Sequence, residues 1–125
     1  MATLNFKQSV NYPGHILLVP VTLMGAMPYT VQAVLDTGAG ISMFNQGIAL
    51  AVGITDIYGG TSREVRSASG NTETSYIHQV AIEILGRRLT IPIAFGTWNF
   101  NVLGMEGFFE QFVFGLDHRA KTFYV

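Results

Sequence analysis

The chain has 125 residues, 49% hydrophobic and only 12% charged, with a formal net charge of −1, which fits one small domain over residues 1–125 carrying more apolar material than a lone chain of that size easily hides. The excess points to a buried interface with another chain. The absence of a basic stripe argues against nucleic acid as partner, and the absence of cysteine excludes disulfides, thiol chemistry and thiolate metal sites.

Residues 1–9 hold no apolar segment of the signal-peptide kind, and the apolar stretch from Ile16 to Tyr29 is broken by Pro20, Thr22, Gly25 and Pro28. No membrane span is expected, and a cytoplasmic location is the default. Ile16–Leu23 and Tyr29–Leu35 are rich in Val, Leu, Ile and Thr, with Gly25 and Pro28 between them, so they predict a β-hairpin. Its second strand delivers Asp36, followed by Thr37, Gly38 and Ala39. A carboxylate at the end of an apolar strand is costly unless hydrogen-bonded or functional. Gly38 lacks a Cβ, so its N–H can approach the Asp36 carboxylate closely.

Asn45 is a candidate N-cap and Gly53 a candidate helix terminator, bracketing a helix over Gln46–Val52 that turns Ile48 and Val52 inward. Arg63–Ser75 is polar and small at its middle, which predicts a projecting hairpin with its tip near Ser69, Gly70 and Asn71. A plain surface loop fits that composition equally well. Tyr76 to Ile84 alternates with period two and predicts a strand, Gly86–Arg87 a turn, and Leu89, Ile91, Ile93 and Phe95 a second alternating strand. Val102–Leu103–Gly104 is a short apolar segment ending in glycine. Met105–Phe112 is expected to form a second short helix burying Phe108, Phe109 and Phe112. The chain closes with Val113–Leu116, a turn over Asp117–Lys121 and a strand over Thr122–Val125. The expected fold class is all-β with two short helices.

The order of these features resembles the single-domain, retroviral-type (retropepsin-like) aspartic proteases. The resemblance is carried by Leu35-Asp36-Thr37-Gly38-Ala39, the polar hairpin, and Val102-Leu103-Gly104 before a short helix, and it runs from about Ile16 to Val125. Gly104-Met105-Glu106-Gly107-Phe108-Phe109 and the helix after Asn45 are closer to cellular members than to viral ones. Viral enzymes usually carry Arg where this chain has Met105, so their inter-subunit salt bridge does not carry over.

The resemblance implies a closed-barrel-like acid protease fold with a flap hairpin, assembled as a homodimer. It also implies an aspartic endopeptidase with Asp36 as the catalytic residue and Thr37, Gly38 and Ala39 supporting it. Ser67, Ala68, Ser69, Gly70 and Asn71 would form the flap tip, and Leu103 and Gly104 the second-loop motif. Ile41, Val65, Ile93 and Val102 are candidate pocket walls, although apolar residues of a small domain mostly belong to its core. The partners expected are a second copy of the chain and a peptide or protein substrate, with no cofactor.

The chemistry explains why the motif's single copy matters. Hydrolysis by this route needs two carboxylates sharing a water, and one chain encodes one, so a two-fold axis beside Asp36 must supply the other. Other site types find little support. His15, His78 and His118 lie far apart without metal-ligand spacing, and Ser42, Ser67 and Ser69 lack the Gly-x-Ser-x-Gly setting. Glu106 and Glu110 are expected to face solvent. The alternatives are a catalytically silent dimerisation or peptide-binding module with the same fold, and a monomeric β-domain that binds a ligand.

Overall fold

The computed structural model describes residues 3–66 and 70–125. Two sheets organise them. The larger contains β2 (Leu18–Met24), β3 (Tyr29–Leu35), β4 (Ser42–Asn45), β5 (Thr61–Arg66), β6 (Thr72–Ile84), β7 (Arg87–Gly96) and β8 (Val102–Leu103), in the order β2-β3-β8-β4-β7-β6-β5. Because β2 also pairs with β6 through Thr22–Met24, six of these strands close into a barrel and β5 is left outside it on the edge of β6. The smaller sheet joins β1 (Ser9–Asn11), β10 (Thr122–Tyr124) and β9 (Gly115–Asp117), with β10 in the middle.

Alternation decides which side chains fill the barrel. Val19, Val21 and Leu23 of β2, Ala33 and Leu35 of β3, Val80, Ile82 and Ile84 of β6, and Ile91, Ile93 and Phe95 of β7 all point inward and are buried. Phe44, Leu103, Phe108 and Phe123 join the same core. Each Val, Leu, Ile or Phe among them contributes about 1.5–3 kcal/mol relative to leaving it in water.

The helix α1 (Gln46–Ala51) forms where expected. The Asn45 side chain accepts a hydrogen bond from the Gly47 amide at 2.8 Å, and Ile48 and Val52 are buried. Gly53, at φ +92°, ends it. The hairpin expected over residues 63–75 also forms, with β5 and β6 paired antiparallel from Thr61↔Ile77 to Arg66↔Thr72.

Three expectations are corrected. The turn between β6 and β7 is Leu85–Gly86 rather than Gly86–Arg87: both residues have positive φ (51° and 72°), the geometry of a tight two-residue hairpin, and Arg87 already pairs with Ile84. Met105–Phe112 is not a helix but a single 3₁₀ turn at Phe109–Gln111. Gly107 stands at φ +82°, outside the right-handed helical region, so no helix runs from Met105 through it, and the Met105 and Glu106 amides bond instead to the Ala39 and Gly40 carbonyls. Phe108 and Phe109 are buried nonetheless, whereas Phe112 is only part-buried beneath the Arg87 guanidinium. At the C-terminus β9 (Gly115–Asp117) runs into Asp117, a residue expected in the turn, while β10 begins at Thr122 as expected and has both edges occupied within the subunit, by β1 and β9.

Candidate active site

Asp36 emerges where β3 leaves the barrel. Strands β3 and β8 run parallel, Val34 opposite Val102 and Leu35 opposite Leu103, and the Asp36 amide donates to the Leu103 carbonyl at 2.9 Å. Ladder pairing therefore continues up to the carboxylate-bearing residue itself. Beyond it the chain turns sharply. The Ala39 amide donates to the Asp36 carbonyl at 3.1 Å, and the Gly38 amide donates to Asp36 Oδ1 at 2.8 Å. The carboxylate is exposed, so it is held by a directed hydrogen bond without the cost of burying a charge.

The segment after β8 braces this loop from behind. The Met105 amide donates to the Ala39 carbonyl and the Glu106 amide to the Gly40 carbonyl, each at 2.9 Å, while the Gly104 amide donates at 3.0 Å to the fully buried Ser42 hydroxyl. Gly104 is obligatory here for a steric reason. A Cβ on it would lie 2.6 Å from the Ala39 carbonyl oxygen and 2.7 Å from that of Ile41. Leu103, next to it, is wholly in the core.

Above the Asp36 loop lies a cleft of about 610 Å³. Asp36, Gly38, Ala39 and Met43 contribute to one side, Val65, Arg66, Asn71 and Glu73 come from the β5–β6 hairpin, and Trp98, Phe100 and Val102 complete the wall. A second cleft of about 360 Å³ shares Gly38, Ala39, Met43, Val65 and Arg66 with the first, so the hollow continues past the loop toward Glu106. There Arg63 and Glu106 form an ion pair at 3.4 Å, both about half exposed. It links the hairpin to the segment that braces the Asp36 loop.

Of the pocket residues named from sequence, Val65 and Val102 line the main cleft and Ile41 the second. Ile93 does not line either: it is fully buried in the barrel, because the inward phase of β7 assigns it to the core. Thr37 and Gly38 are exposed at the loop's tip, and Gly70 bends the hairpin at φ +89°. Ser67, Ala68 and Ser69 lie outside the described residues. Glu106 is in the ion pair with Arg63, and Glu110 accepts a hydrogen bond from the Gly107 amide.

Met43, Arg66, Glu73, Trp98 and Phe100 were not anticipated. The aromatic pair in Phe95-Gly-Thr-Trp-Asn-Phe100 was the available signal. Asn45 organises that loop: its amide nitrogen donates to the Trp98 carbonyl at 2.7 Å, and its backbone N–H donates to Asn101 Oδ1 at 3.1 Å. Trp98 is 7% exposed, and its ring stacks with Phe100 at 6.1 Å between centroids and 16° between planes. Its indole N–H has no hydrogen-bond partner among the described residues.

Among the described residues no group of three or more His, Asp or Glu could hold a metal ion, and no helix is long and apolar enough to cross a membrane. His78 is used structurally, its Nε2 lying 2.7 Å from the Ile57 carbonyl. A comparison with curated proteins finds no match. Residues 19–106 match the family model for aspartyl proteases, a span that starts in β2 and ends just beyond the Gly104 brace. An acid loop, its brace and the strands that carry both are thus contained in one matched segment covering over two thirds of the sequence, and the chain belongs to the retropepsin-type aspartyl proteases.

Proposed function

We propose that the protein is a homodimeric aspartic endopeptidase that hydrolyses peptide bonds in extended polypeptides, using water activated between two Asp36 carboxylates, one from each subunit. The observation that carries the reading is the exposed Asp36, oriented by the Gly38 amide at 2.8 Å on the floor of a cleft roofed by a hairpin. One such loop per chain is half of a two-carboxylate site. A two-fold axis beside it completes the pair.

The chemistry follows from the pairing. Carboxylates about 3 Å apart do not both ionise readily, so the pair holds one proton, and its apparent pKa values belong to the pair. The ionised member takes a proton from water as the water attacks the peptide carbonyl carbon. The protonated member donates a hydrogen bond to the carbonyl oxygen, and a proton then passes to the leaving nitrogen as the C–N bond breaks. This route requires no cofactor or covalent intermediate. Thr37, exposed at the loop's tip, braces the partner loop across the axis. The β5–β6 hairpin acts as the flap, with Gly70 supplying its bend, and it closes over substrate to exclude water. Met105 occupies the position where an arginine would tie the subunits together, so dimerisation rests on apolar contact instead.

Turnover of a peptide library between about pH 4 and 7 by the protein and by Asp36→Asn tests the reading. Loss of at least about a thousandfold in kcat/KM in the variant is expected, together with a dimer in equilibrium sedimentation. Equal turnover by both proteins would sink the mechanism. Peptide binding without turnover by either would favour the catalytically silent module.

A further inference from the structure

Of the two acidic residues in the described part of the hairpin, Glu73 lines the main cleft and Glu64 the second. In the β5–β6 register Val65 stands directly opposite Glu73, so the two share a face. That face is the inner one, because Val65 packs against the cluster of Ile41, Ala94 and Trp98. Glu73 lines the main cleft together with Asp36, Trp98 and Phe100 and is absent from the second cleft. No described lysine or arginine forms an ion pair with it. Arg66 also lines both clefts, but it opposes Thr72, one residue out of phase with the Val65–Glu73 pair, and forms no ion pair with Glu73.

We infer that Glu73 is a specificity-determining residue that selects a basic side chain, lysine or arginine, in the peptide segment occupying the Trp98–Phe100 end of the cleft. The inference rests on the peptidase reading and names its substrate class. A basic side chain suits this end in both its parts. Its methylene stem lies along Met43 and Val65, and its head reaches the Glu73 carboxylate. The stacked rings of Trp98 and Phe100 offer a π face that attracts a cation, and Phe100 is half exposed to receive it. An acidic side chain meets Glu73 and Asp36 as like charges, and a purely apolar one strips water from Glu73 without replacing it.

Trp98 is the only tryptophan, so its fluorescence reports occupation of the cleft without any need for turnover. The experiment titrates the Asp36→Asn protein with apolar peptides that differ at one scanned position, carrying lysine, norleucine or glutamate. At the best position lysine is expected to bind about five- to tenfold more tightly than norleucine, and glutamate more weakly than either. Glu73→Gln should abolish the lysine advantage while norleucine peptides still bind, and Glu73→Lys should reverse it in favour of glutamate. Equal binding of lysine and glutamate peptides at every position overturns the inference, as does a lysine preference that survives Glu73→Gln. If the parent protein cleaves norleucine peptides while charge makes no difference, the inference alone falls. If no peptide is bound or cleaved, it falls together with the peptidase reading.

Discussion

Strand β6 belongs to two different environments. Its last five residues, Val80–Ile84, have a paired strand on either side over Ala81–Glu83 and bury alternate side chains in the barrel, whereas its first three, Thr72–Thr74, pair with β5 and are all exposed. Across from those exposed residues, β5 contributes a single half-buried one, Val65. One strand thus passes from a region held by side-chain packing to one held by backbone hydrogen bonds. Packing makes the barrel a fixed platform for Asp36, whereas Glu64–Arg66 and Thr72–Thr74 are held mainly by strand pairing.

The contrast can be broken most severely from the barrel side. Phe95, fully buried in β7, should cost about 3–5 kcal/mol of stability when changed to alanine. Urea unfolding measures that loss, and a cost below about 1 kcal/mol would mean the barrel is not the packed unit described. Next comes Gly104→Ala, which forces a methyl group against two carbonyl oxygens of the Asp36 loop. It is expected to cost about 1–3 kcal/mol, and kcat should fall by at least about tenfold because the loop moves with its brace.

On the hairpin side the effects separate. Val65→Ala should lower stability by no more than about 1 kcal/mol while raising KM several-fold, since β5 loses its apolar contact with the Trp98 cluster. An unchanged KM in steady-state kinetics would detach the hairpin from substrate binding. Smallest of all is Ala39→Ser beside the carboxylate. A hydroxyl donor there favours the charged form, so the acidic limb of the pH–rate profile should move down by about half a unit, with no change in unfolding midpoint.

Local pattern carried the barrel's long strands. Ile82, Ile84, Ile91 and Ile93 alternate without interruption, and Asn45 and Gly53 mark their helix because capping is a short-range matter. Asp36 was legible for the same reason, its orientation being set by an amide two residues away. What escaped depends on distant partners. The amides of Met105 and Glu106 are claimed by Ala39 and Gly40, which no helical periodicity in Met105–Phe112 reveals. Ser9–Asn11 holds one apolar residue and becomes a strand only because Thr122–Tyr124 lies beside it. Trp98 and Phe100 reach the cleft because Asn45, more than fifty positions earlier, holds the Trp98 carbonyl.

The sheet formed by β1, β10 and β9 has a consequence for how the chain acquires its shape. Ser9–Asn11 meets Thr122–Tyr124 across nearly the whole sequence, and the Tyr12 hydroxyl lies 2.7 Å from His118 Nδ1, 106 positions away. Closing a loop of that length costs about 4 kcal/mol in chain entropy when nothing has shortened it. Barrel formation shortens it beforehand, so the three-stranded sheet is expected to assemble last and to open first. Amide protons of β1 should exchange with solvent ahead of those at Ile82 and Ile91, making the union of the two ends the latest event in folding and the earliest to be undone.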